Sequence, residues 1–208
     1  ALTVRVLHSR APTLRDLRLP QAVGALSMAR SGLVLISSGM GQGRSSTLAA
    51  MVETINTASQ QARRVVTLER PIELLFDDKM AWISQREVGV DTASVEAGLD
   101  GVMQQGFDVV VVQDIQSTDV LDRCMAIAEV GTLVLASVAS SDVTAALRRL
   151  YGLYDDNRIA AARRRLAAIL LGACSQRLVA TTDGQNRVPA VEILMANEET
   201  KGIIRNKV

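Results

Sequence analysis

Gly32-Leu-Val-Leu-Ile-Ser-Ser-Gly-Met-Gly-Gln-Gly-Arg-Ser-Ser-Thr47 reads as a strand, a glycine-rich turn and the opening of a helix. Leu33 to Ile36 is apolar, Gly39, Gly41 and Gly43 punctuate the turn, and Ser-Ser-Thr-Leu-Ala-Ala-Met follows from Ser45. Glycines let several backbone N–H groups point at one anion, and a helix N-terminus adds partial positive charge. The phosphate-loop rule is G-x-x-x-x-G-K-[ST]. Here its defining positions hold Ser38, Gly43, Arg44 and Ser45. The first glycine and the lysine are therefore replaced. Candidate nucleotide-binding residues are Ser38, Gly39, Gly41, Gly43, Arg44, Ser45 and Ser46, with the Ser45 hydroxyl as the Mg2+ ligand. Arginine keeps the charge but exchanges a compact ammonium for a wide planar fork, so the change is not conservative. The plainer alternative is an ordinary tight turn between strand and helix.

Outward from this stretch, strand and helix patterns alternate. Before it, Pro20 starts a helix to about Met28, residues 12–18 read as a loop, and residues 2–8 alternate as a short strand. After it come a helix over 44–59, a strand over Arg64–Leu68 and a break at Arg70-Pro71. Trp82–Val88 reads as extended, 92–105 as helix, and Val109-Val-Val-Val112 as a strand covered on both faces. A helix over 118–130, a strand over Thr132–Val138, and helices over 142–151 and 156–172 follow. Residues 174–181 and 188–195 pair as strands across Asp183-Gly184-Gln185-Asn186, and a helix closes at 197–206. Such alternation predicts an α/β chain with a mostly parallel sheet and right-handed crossovers, plus a late antiparallel strand pair as an appendage.

Composition narrows the partners. The 208 residues are 48% hydrophobic and only 2% aromatic, so Ala, Val, Leu and Ile must build the core. A net charge of +1 gives no reason to expect nucleic acid. Cys124 and Cys174 lie in apolar segments and read as buried reduced thiols. With a single histidine, His8, a histidine-built metal site is not expected. No apolar run is long enough to span a bilayer, and no signal-peptide pattern is seen.

The segment Gly32 to Met51 resembles the P-loop of the secretion ATPases, in particular the PilT-like retraction motors of type IV pili, and the likeness continues along nearly the whole chain. Thr67-Leu-Glu-Arg-Pro-Ile-Glu73 is similar to that family's acidic box, Thr-Ile-Glu-Asp-Pro-Ile-Glu. Ser84-Gln-Arg-Glu-Val-Gly89 is similar to its Asn-Gln-Arg-Glu-Val-Gly segment. Asp108-Val-Val-Val-Val-Gln-Asp114 falls on the Walker B strand and Gly131 to Ser141 on the histidine box. Ser175-Gln-Arg-Leu178 and Val191-Glu-Ile-Leu194 fall on later segments. The resemblance implies a RecA-like P-loop NTPase core that assembles as a hexamer, with ATP and Mg2+ at subunit boundaries. It implies residues 1–30 as the remnant of an N-terminal PAS-like domain and connector, and 31–208 as a C-terminally shortened nucleotide-binding domain.

The same resemblance assigns roles. Glu69 matches the glutamate that activates the attacking water, and Asp114 the Walker B carboxylate, so these two are the catalytic candidates. Arg70 replaces an aspartate and stands in a position to pair with Glu69. Thr132 and Ala139 stand where the family has histidines that contact phosphate or signal between sites. Asp100 and Gln104 stand where it has arginines, and Gln116 replaces another. Arg86 survives as the candidate cation reaching a neighbouring subunit. The architecture matches while the reacting side chains differ. The expected protein is a nucleotide-binding, ring-forming subunit with impaired or absent hydrolysis. The alternative is an active ATPase driving retraction or twitching motility with Arg44 in place of lysine; a third reading is a scaffold in which nucleotide only stabilises the fold. Implied partners are further copies or active related ATPases, and the inner-membrane platform protein of the pilus machinery. The implied location is cytoplasmic, peripheral to the inner membrane through those partners.

Overall fold

In the computed structural model, which describes residues 10–206, the apolar runs become strands of one sheet. They are β1 (Gly32–Ser38), β2 (Arg63–Glu69), β3 (Ala81–Glu87), β4 (Val109–Val112), β5 (Leu133–Ala139), β6 (Leu170–Ala180) and β7 (Arg187–Met195). Their order in space is β3-β2-β4-β5-β1-β6-β7. Every neighbouring pair is parallel except β6 with β7. The helices are α1 (Gln21–Ser27), α2 (Arg44–Ala58), α3 (Val95–Gln105), α4 (Thr118–Glu129), α5 (Val143–Tyr151), α6 (Asp156–Ile169) and α7 (Glu198–Asn206). The strand read at 2–8 lies outside the described residues.

β1 shows why central strands read as unbroken apolar runs. Successive side chains project to opposite faces of a strand. Val34 and Ile36 join a core with Val23 and Leu26 of α1 and Leu48, Met51 and Ile55 of α2. Leu33 and Leu35 join the other core, with Leu99, Leu121, Leu147 and Leu166 from α3 to α6. Both faces are covered, so neither can be polar. α1, read from the sequence as part of a connector, buries Val23 completely within the first core.

The late strands pair antiparallel as expected, but as part of the main sheet rather than as an appendage to it. β6 begins at Leu170, inside the stretch expected to be helical to residue 172, and its first half pairs in parallel with β1. Ala-Ala-Ile-Leu-Leu-Gly-Ala-Cys fits a buried helix as well as a buried strand. Tertiary packing decides: a Cβ on Gly172 would lie 2.7 Å from the Leu194 carbonyl oxygen and 3.0 Å from Leu26. Only glycine lets β6 pass between β7 and α1 there. Cys174 on this strand and Cys124 on α4 are buried free thiols, with burial pushing them up to about 11 and about 12. Among the described residues, no helix is long and apolar enough to cross a membrane.

Candidate nucleotide site at the carboxyl edge of the sheet

Parallel strands end together, and here β1, β2, β4 and β5 bring Ser38, Glu69, Gln113-Asp114 and Ala139 to one edge. The turn after β1 crosses this edge and starts α2. Helices α3, α4, α5 and α6 open on Ser94, Ser117, Asp142 and Asp155, whose side chains accept a backbone N–H of the first turn. α2 opens instead on Gly43, with φ +89° and no side-chain cap. Gly41 is also left-handed, with φ +69°. The sequence therefore leaves the first N–H groups of α2 to something outside its own side chains.

The turn is braced from β6. Thr47 Oγ1 donates to Gln176 Oε1 at 2.7 Å, and Gln176 Nε2 donates to the Gln42 carbonyl at 2.6 Å. The Leu178 N–H donates to Gln42 Oε1 at 2.7 Å. A Cβ on Gly43 would sit 2.9 Å from Gln176 Nε2. Sequence reading did not find this brace. Its one trace was the polar run Ser175-Gln-Arg177 in the middle of an apolar strand. The Ser38 hydroxyl is buried and donates to the Gly39 carbonyl at 2.9 Å, so the serine is absorbed by its own turn.

A cleft of about 630 Å³ opens beside the turn, lined by Arg44, Ser45, Glu69, Arg70, Asp114 and Gln116 among others. A second, of about 370 Å³, lies against Gly43, Ser46, Thr47 and Gln176. Most of the expected site residues thus meet around one turn. Glu69 accepts hydrogen bonds from Thr67 Oγ1 at 2.6 Å and Gln85 Nε2 at 3.1 Å. Burial holds its carboxyl above the ordinary carboxylate range, and those two hydrogen bonds oppose the shift. The expected pairing with Arg70 does not form. Arg70 instead gives its backbone N–H to Gln113 Oε1 at 2.8 Å.

Arg44 turns toward Asp114. Its Nη1 lies 3.6 Å from Asp114 Oδ1, a charge contact too long for a hydrogen bond. Both atoms are buried and have no hydrogen-bond partner. The other carboxylate oxygen, Oδ2, accepts from Gln116 Nε2 at 2.9 Å. Mg2+ prefers near-octahedral oxygen coordination. Ser45 offers one hydroxyl; of the Asp114 carboxylate, one oxygen faces a guanidinium and the other accepts from Gln116, and among the described residues no cluster of three or more acidic, histidine or cysteine side chains is set to hold a metal. The donor set as it stands does not fit Mg2+.

Three residues singled out in the sequence lie away from these clefts. Residues 85 and 86 project to opposite faces of β3. Gln85 meets Glu69, whereas Arg86 donates to Gln105 Oε1 of α3 at 2.6 Å and lies 5.5 Å from the Phe107 ring. Arg86 lines neither cleft. Thr132 precedes β5 at the opposite end of the sheet, where it donates to the Phe107 carbonyl at 3.2 Å. It lies seven positions before Ala139, about 23 Å along the sheet, so it cannot touch a phosphate held by the turn of its own chain. Asp100 is ion-paired to Arg123 of α4 at 2.7 Å.

The chain matches the family described as type II/IV secretion system protein over residues 3–207, and it belongs to that family. It is 31% identical over 204 residues to the type IV pilus ATPase PilU of Pseudomonas aeruginosa, covering 98% of this chain and 53% of that protein. It is 30% identical over 209 residues to a twitching motility protein of Neisseria gonorrhoeae, covering 100% of this chain and 55% of that one. The crystal structure of the pilus retraction motor PilT with bound ADP superposes with a TM-score of 0.91 at 31% identity, covering 97% and 58% of the two chains. The chain thus spans about half the length of the curated relatives it matches. The Legionella pneumophila ATPase DotB shares the fold, with a TM-score of 0.89 at 23% identity.

Proposed function

We propose that this chain is a nucleotide-binding subunit of a ring-forming motor related to those of type IV pili, with impaired or absent ATP hydrolysis. The observation that carries the reading is the contrast at α2. Its uncapped N-terminus and braced glycine turn form a phosphate cradle, while the residue in the lysine position engages Asp114. The polyphosphate would lie on the first N–H groups of α2, and the nucleoside would extend into the cleft beside Gly43 and Gln176. A relative solved with ADP supports a nucleotide ligand. In a ring, nucleotide at a subunit boundary would bias one arrangement over another. The partners are further copies or active related ATPases, docked on an inner-membrane platform from the cytoplasmic side. Arg86 would reach a neighbouring subunit only by leaving Gln105 and Phe107.

The second reading is an active ATPase. What favours it is Glu69, whose carboxylate lines the cleft and is fixed by Thr67 and Gln85 as a positioned base should be. Calorimetric titration with ATP and ADP, followed by phosphate release on the same sample, separates the readings. We expect binding with little turnover. Turnover at the rate of intact family motors, abolished in Glu69→Ala, would establish the second reading instead. Absence of binding at millimolar nucleotide would leave an interaction role only.

A further inference from the structure

Arg44 and Asp114 make a stronger statement about the ligand than the cradle does. In the cleft, Arg44 Nη1 and Asp114 Oδ1 face each other at 3.6 Å, each buried and each without a hydrogen bond. Gln116 occupies the other carboxylate oxygen. A dication placed on Asp114 would share that carboxylate with the guanidinium and be repelled by it. It would also have to assemble a near-octahedral shell with Ser45 as the remaining side-chain donor of the turn. The guanidinium needs no such shell. It carries its own charge, cannot be deprotonated, and its planar fork matches two phosphate oxygens at once. Arg44 is the first residue of α2, directly after Gly43, so its stem is anchored at the cradle.

We propose that this site takes nucleoside di- and triphosphates without a divalent cation, the Arg44 guanidinium supplying the charge a metal would otherwise bring and Asp114 holding it in place. This rests on the nucleotide-binding reading above. An orphaned Nη1 atom is the group left to meet a phosphate oxygen. The Arg44-for-lysine change and the loss of metal chemistry are then one event, because a metal-free site would bind without activating water or leaving group.

The test is titration of ATP and ADP into the full chain, once with millimolar Mg2+ and once with excess EDTA. Affinities in the two buffers should agree within about fivefold. A larger loss in EDTA overturns the inference while leaving the nucleotide reading intact; no binding in either buffer removes both. Asp114→Asn should change ATP affinity by the same factor in Mg2+ buffer and in EDTA. A loss of about fivefold or more confined to Mg2+ buffer would show the carboxylate holding a metal and overturn the inference. Arg44→Lys shortens the fork to a point charge that leaves Asp114 available, and should acquire a Mg2+ preference of about tenfold. Equal affinity of that variant in both buffers would count against Arg44 as the metal's replacement. Thermal melts of each variant establish that it is folded.

Discussion

Two neighbouring parts of the cleft are built to different standards. On the β6 side of the turn, Gln42, Thr47 and Gln176 close a network that uses the Thr47 hydroxyl and both ends of the Gln176 amide. On the β4 side, a few residues away, Arg44 and Asp114 keep buried polar atoms without hydrogen bonds. Buried polar groups in folded proteins are almost always satisfied. Leaving two unsatisfied atoms costs stability, and such costs persist where a ligand or a switch uses them. The glycine turn is thus braced by its own chain, while Arg44 and Asp114 beside it are not fully satisfied.

The comparison breaks most easily at Gly43. Its φ of +89° strains any other residue, and a methyl group there would push the Gln176 amide, 2.9 Å away, out of its brace. Gly43→Ala should cost roughly 1–2 kcal/mol in backbone strain alone. It should also weaken nucleotide binding by roughly tenfold or more as the N–H groups turn away. Unchanged affinity by calorimetry would mean the turn is not the cradle.

Glu69 sharpens the comparison through pH. Its folded-state pKa is raised, so the folded chain binds its proton more tightly than the unfolded chain does. Stability is then greatest with Glu69 protonated and falls as pH rises from the ordinary carboxylate range through the folded pKa. Glu69→Gln keeps an oxygen for Thr67 and Gln85 but cannot ionise. It should melt higher than the parent at neutral pH, with the difference vanishing in acid. A variant that melts lower at neutral pH would show the charged carboxylate to be stabilising.

The smallest effect belongs at the far end of the sheet. Thr132→Val removes one hydrogen bond to the Phe107 carbonyl and should cost about 1 kcal/mol of stability. Nucleotide affinity should not change. A change would require communication along the length of β5.

Much of this was legible beforehand. The strand-turn-helix at 32–47, the four valines of β4 and the alternation of elements survive in the structure because local propensity and two-sided burial agree there. Ser45, Glu69 and Asp114, which the family resemblance implied share a site, line one cleft because parallel strands end at a common edge. The place of Thr132 was not legible, because a position in a sequence segment says nothing about which end of a strand it occupies. Arg70 was misread because adjacency in sequence was taken for contact, although the chain bends at Arg70-Pro71 and the arginine backbone, not its fork, finds a partner.

The sequence by itself determined the class of fold and the location of the cradle, since both depend on periodicity and on glycines that act locally. Only the tertiary structure decided that residues 170–174 extend beside β1, that Gln176 braces a turn 133 residues before it in the chain (Gly43), and that Arg44 spends its charge on Asp114. Each of those is a contact between distant segments. No residue carries its distant partner's address, and packing alone chooses among the apolar and polar surfaces available.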